Sequence, residues 1–115
     1  MAEKQPAASR RLNESARAAL ADLLLSEFSD PRLHLITVTD VRVSKDRSMA
    51  TVLVSSSPEQ YDDTLAGLES AKGRLRSLLG KELGWRFTPE LRFAIDIGVD
   101  HAQEIDAYLK GSSHE

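Results

Sequence analysis

Apolar residues recur at helical spacing from Leu12 to Phe28. Leu12, Ala16, Leu20, Leu23, Leu24 and Phe28 fall on one stripe. Arg10, Arg11, Asn13, Glu14 and Arg17 hold the other side, which predicts an amphipathic helix with Ser9 as its cap. Ser29-Asp30-Pro31 ends it, because the residue before a proline avoids helical angles. The pattern then changes period. Residues 35–44 are rich in Ile, Val and Thr, and their far half alternates Val41 and Val43 against Asp40 and Arg42. Lys45-Asp46-Arg47-Ser48 is a polar connection of hairpin length, and residues 50–55 form the return strand. So short a loop makes the two strands antiparallel neighbours.

Ser57-Pro58-Glu59-Gln60 is a helix start, with serine as cap, proline first and glutamine closing a capping box. Tyr61, Leu65, Leu68 and Ala71 mark one helical face. Gly73 interrupts, Leu75, Leu78, Leu79 and Leu83 mark a second helix, and Gly84 ends it in the left-handed conformation. Leu91, Phe93 and Ile95 alternate with Arg92, Ala94 and Asp96 as a third strand. Asp100 caps a last short helix carrying Ile105 and Leu109, closed by Gly111. The order is α-β-β-α-α-β with a short trailing helix. The long helical connection between the second and third strands predicts a right-handed crossover on one face of the sheet. The fold class is therefore α+β, a two-layer sandwich with a three-stranded sheet. Residues 1–8, small and polar with Pro6, read as a disordered tail, residues 9–110 as one domain, and residues 111–115 as a second tail.

Composition narrows the setting. There is no cysteine, hence no disulfide and no thiolate metal site, which fits a reducing cytoplasm. No apolar run approaches the ~20 residues needed to span a bilayer, and the N-terminus has no apolar signal core. Net charge is −3, yet the charges are unevenly placed. Lys4, Arg10, Arg11 and Arg17 face only Glu14. Lys72, Arg74, Arg76, Lys81, Arg86 and Arg92 face only Glu82 and Glu90. Asp96, Asp100, Glu104, Asp106 and Glu115 face only Lys110. A bipolar chain meets a polyanion through the field near its basic patch rather than through its net charge.

The residue types of covalent catalysis are sparse. His101 and Glu104 share a helix face, but zinc needs three or four ligands, so an exposed pair is the better reading and no metal or cofactor is expected. Asp62 and Asp63 sit where acids offset a helix dipole. Serines 55–57 are a connector without a base. The informative site is the Ala71-Lys72-Gly73 break. Glycine costs ~1 kcal/mol relative to alanine inside a helix and permits a sharp turn. It also removes a side chain where a phosphate backbone would approach. Lys72, Arg74, Arg76 and Lys81 supply charge there, and Arg10, Arg11 and Arg17 add a second edge if the first helix packs alongside. The same residues are equally compatible with a glycine that only eases packing beside a solvated surface.

A family resemblance favours the first reading. Asp30-Pro31-Arg32-Leu33, Ile36-Thr37-Val38-Thr39-Asp40-Val41, Val43-Ser44, Asp46, Ala50, Val52 and Val54-Ser55 resemble the first half of the ribosome-binding factor A family. Leu65, Leu68, Ala71-Lys72-Gly73, Leu75-Arg76, Leu79, Leu83, Arg86, Pro89-Glu90-Leu91, Phe93, Asp96, Ile105-Asp106 and Leu109 continue it, in order, over roughly residues 9–110. Gly98 departs from the serine common there. The resemblance implies a type II KH-like fold in which Ala71-Lys72-Gly73 forms the helix kink. It implies a cytoplasmic, monomeric assembly factor rather than an enzyme. Such a factor binds the immature small ribosomal subunit and its ribosomal RNA, with small-subunit ribosomal proteins as further candidate partners. It supports 5′-end processing of 16S rRNA and matters in cold adaptation. In KH domains the loop between two helices clamps the nucleic-acid backbone. The alternative function is a protein–protein adaptor with the same fold that leaves RNA untouched.

Overall fold

The stripe from Leu12 to Leu24 folds as a helix, α1 (Ala7–Ser26), in the computed structural model, which describes residues 7–97. The helix begins ahead of Ser9, the expected cap. A 3-10 turn at Pro31–Leu33 follows, capped by Asp30, whose carboxylate accepts the Arg32 amide at 3.0 Å. It buries Leu33 under the helices.

The predicted hairpin is present as β1 (Thr37–Val43) and β2 (Met49–Ser55), antiparallel, with Val41 opposite Val52 and Val43 opposite Ala50. The register shifts between Val38 and Asp40. Thr39 is the extra residue of this bulge, and it lets Val38 and Val41, three apart, both face the core. Strand β3 (Glu90–Ile95) pairs with β2 in parallel, with Ala50 opposite Leu91, giving the order β1-β2-β3. A parallel neighbour requires a crossover, and a single helix provides it.

That helix, α2 (Tyr61–Leu83), corrects the expected order. The two helices placed on either side of Gly73 are one continuous helix, whose hydrogen-bonded turns run without interruption through Ala71-Lys72-Gly73. The order among the described residues is α-β-β-α-β. Glycine's helical deficit is only about 1 kcal/mol. Burying Leu68, Ala71, Leu75 and Leu79 on one uninterrupted stripe outweighs it, since each buried leucine contributes about 1.5–3 kcal/mol. Gly84 is the one glycine with a positive φ among the described residues, 66°, and it ends α2 as expected. The Trp85 amide donates to the Gly80 carbonyl at 2.9 Å and the Gly84 amide to Lys81 at 3.3 Å, a Schellman closure. At the other end Ser57 makes no side-chain cap. The chain enters α2 through a 3-10 turn at Pro58–Gln60.

Both helices pack on one face of the sheet. Ala16, Leu20 and Leu24 of α1 and the leucines of α2 meet Val38, Val41, Val52, Val54 and Leu91 in one core. Asn13 is buried, and its Oδ1 accepts the Val43 amide at 3.1 Å, fixing the start of α1 beside the end of β1. No described helix is long and apolar enough to cross a membrane. The predicted last helix, with Asp100, His101 and Glu104, lies outside the described residues, as does the acidic C-terminal segment.

Candidate nucleic-acid interface

Because α2 is continuous, its residues are distributed by helical geometry. Lys72 and Arg74 lie roughly 200° apart around the axis, and Arg76 falls near Lys72. The expected basic cluster therefore divides between two sides of the helix. Gly73 lies between them, exposed, on the side away from the buried stripe.

On the β3 side, Lys72 pairs with Glu69 at 2.9 Å and stands 5.8 Å from the Phe93 ring centroid. Arg76 is half-buried. Its guanidinium donates to the Thr88 carbonyl at 2.7 Å and the Pro89 carbonyl at 2.9 Å. Those bonds hold the connection into β3, so Arg76 positions a loop rather than presenting a free charge. On the α1 side, Arg74 donates to the Glu27 carbonyl at 2.5 Å, reaches the Glu27 carboxylate at 3.6 Å and stacks 5.0 Å from the Phe28 ring centroid. It stays more than half exposed and keeps donor capacity for a phosphate. Lys81, seven residues further on, is exposed and forms no ion pair among the described residues.

The outward face of α2 is thus open at Gly73 and bordered by Arg74 and Lys81. A Cβ built on Gly73 meets nothing within 4 Å. Gly67 and Gly80 are different. A Cβ on Gly67 comes within 3.2 Å of Arg32 and Leu33, and one on Gly80 overlaps the Thr88 hydroxyl. Those two glycines serve packing, whereas nothing within the fold requires the one at 73.

The second edge does not form as expected. Arg17 donates to Glu14 at 2.6 and 2.9 Å and to the Val38 carbonyl at 3.3 Å. The Arg17 hydrogen bond holds the Glu14 carboxyl below its ordinary value. Arg10 and Arg11 are exposed at the start of α1, roughly 25 Å along the helix from the Arg74 contact at Glu27. The structure places them instead at the end of the molecule where Asn13 meets Val43.

No group of three His, Asp or Glu residues that could hold a metal occurs among the described residues, and His34 has its Nε2 at 2.5 Å from the Phe28 carbonyl. The candidate site is a cationic surface on the outward side of α2. Residues 8–109 match the family model for Ribosome-binding factor A. The chain belongs to the ribosome-binding factor A family. A ribosome-binding factor A from Salinispora arenicola is 42% identical over 111 residues, covering 95% of this chain and 71% of that protein. The crystal structure of ribosome-binding factor A from Thermus thermophilus aligns with a TM-score of 0.70 at 34% identity, covering 76% of this chain and 94% of that one. A homology model of the Thermus protein, fitted into a cryo-electron-microscopy map of its complex with the 30S subunit, aligns with a TM-score of 0.62, also at 34% identity. It covers 73% of this chain and 90% of that one. The family is one of ribosome-binding factors, and its solved members share the α+β fold.

Sequence reasoning missed one feature of this ribosome-binding factor A fold. Phe87 is 81% exposed, the most exposed large apolar residue described. It shares an open cleft of about 540 Å³ with Lys45, Asp46, Arg47, Trp85 and Arg86. The signal available in the sequence was Trp85-Arg86-Phe87 directly after a helix-ending glycine, but its partner loop lies about forty residues away and only the fold joins them.

Proposed function

We propose that this chain is an assembly factor of the small ribosomal subunit, binding the immature particle through its ribosomal RNA. It supports late maturation, including processing of the 5′ end of 16S rRNA, and leaves when the subunit is mature. The observation that carries the reading is the 34% identity and TM-score of 0.62 to the Thermus protein fitted into a 30S complex. The geometry of α2 fits it. An open backbone at Gly73, flanked by Arg74 and Lys81, offers phosphate contacts that position a protein without reading bases. Its action is binding rather than catalysis, and its place is the cytoplasm, where subunits assemble.

The test is sedimentation of the full chain with ribosomal particles. Co-migration with immature small subunits and not with free large subunits is expected. Arg74→Glu combined with Lys81→Glu should release the protein and flatten the salt dependence of binding by about two phosphate contacts' worth of slope. Wild-type protein that fails to sediment with small subunits overturns the function. Unchanged binding by the double variant removes this face from it.

A further inference from the structure

The cleft at the other end of α2 has a second recognition chemistry. Gly84 lies eleven residues beyond Gly73, roughly 16 Å along the axis, so the cleft is separate from the exposed backbone at Gly73, while Lys81, at the far border of that face, is only about 5 Å along the axis from Gly84. Its rims are both built. The hairpin loop is held by Asp46 Oδ1, which accepts from the Ser44 hydroxyl at 2.9 Å, the Ser48 amide at 3.0 Å and the Ser48 hydroxyl at 2.7 Å. The Ser44 hydroxyl accepts the Met49 amide at 3.0 Å. The opposite rim is fixed by the Schellman closure at Gly84, by Thr88 seated on Gly80 and by Arg76 on the 88 and 89 carbonyls. The Glu90 amide donates to the Ser48 carbonyl at 3.0 Å and ties one rim to the other.

On this frame the chain holds two costly features. Phe87 exposes an aromatic ring to water. Arg47 sits at φ 61°, a left-handed conformation that glycine or asparagine adopts with less strain. Lys45, Arg47 and Arg86 form no ion pair among the described residues, and Asp46, the one acid lining the cleft with them, has its Oδ1 committed to the loop. An exposed ring within a cationic rim is the pairing used to stack a base while holding its phosphates.

We infer that the cleft between residues 45–47 and 85–87 binds single-stranded RNA, stacking an unpaired base on Phe87 with Lys45, Arg47 and Arg86 on the flanking phosphates. The inference rests on the small-subunit reading only for the source of that RNA. A duplex fits poorly, because its bases are stacked on one another and present no free face.

Trp85 is the single tryptophan and lines the cleft, so it reports binding directly. Full-length protein is titrated with oligo-uridine of about eight nucleotides and, separately, with duplex RNA of equal length. Oligo-uridine should change Trp85 fluorescence saturably and bind more tightly than the duplex. Phe87→Ala should weaken it roughly tenfold and Phe87→Tyr should retain it. Arg47→Gly, which relaxes the backbone and so keeps the fold, should lower the salt slope by about 0.7. Equal affinity of Phe87→Ala and wild type overturns the inference. So does a silent Trp85 when Phe87→Ala nevertheless loses small subunits in sedimentation, an outcome that assigns the cleft to a protein partner. Wild type that binds oligo-uridine but never sediments with small subunits leaves the cleft standing and refutes the proposed function instead.

Discussion

Replacing Gly73 by alanine tests the central correction to the sequence reading. In a helix interior, glycine is about 1 kcal/mol less favourable than alanine, chiefly because the unfolded glycine backbone has more freedom to lose. Other terms usually intrude, but here they are absent. The position has no positive φ, and an added Cβ meets nothing within 4 Å. Gly73→Ala should therefore stabilise the protein by about 0.5–1 kcal/mol, which raises the melting temperature by roughly 2–6 °C for a domain of this size. Gly80→Ala is the control in the same helix. Its Cβ overlaps the Thr88 hydroxyl, so the gain in propensity is opposed by overpacking of about 1–3 kcal/mol and the net effect is destabilising. Thermal and urea melts of both variants, with unchanged m-values, are the assay. A lower melting temperature for Gly73→Ala would show that the chain does not run helically through residue 73 in solution, and the continuous α2 would have to be abandoned. The variant also reports on function. If RNA approaches the bare backbone at Gly73, the stabilised protein should bind small subunits less tightly than wild type.

Other outcomes follow from the same contacts. Arg76→Ala should cost about 1–2 kcal/mol, because two carbonyls lose charge-assisted donors, and Arg76→Lys should not restore it, since one ammonium cannot span both. The same variant should weaken oligo-uridine binding by releasing the loop that carries Phe87. Asp46 and Asp30 have carboxyls held below the ordinary aspartate value of 3.8, Asp46 chiefly by the Ser48 hydroxyl and Asp30 by the Arg32 guanidinium. Depressed acids contribute stability above 3.8, and that contribution disappears as pH falls through their lowered folded values. Melts from about pH 5 to about pH 2 should thus show a loss below 3.8 that is shallower in Asp46→Asn.

Local chemistry made much of this fold legible. The α1 stripe, the hairpin length of residues 45–48 and the glycine that closes α2 each act within a few residues, so the chain alone specifies them. Family membership was legible for the same reason, as an ordered set of such local signals over roughly residues 9–110, and the family model matches residues 8–109. What the sequence could not determine was the competition at Gly73. A local penalty of about 1 kcal/mol is visible in the chain, but the burial of Leu68, Ala71, Leu75 and Leu79 that overcomes it exists only once the sheet is beneath them. The charges followed the same rule. Arg74 and Arg76 are two apart in sequence, yet the helix turns one toward Glu27 and the other toward Thr88 and Pro89. Lys45, Arg47 and Phe87 are far apart in sequence, and the parallel pairing of β2 with β3 brings them to one cleft. Sequence determines which side chains carry charge or a ring. Tertiary structure decides which of them are spent on the fold's own carbonyls and which are left to face a partner, because hydrogen-bond partners distant in the chain become neighbours only in the folded state.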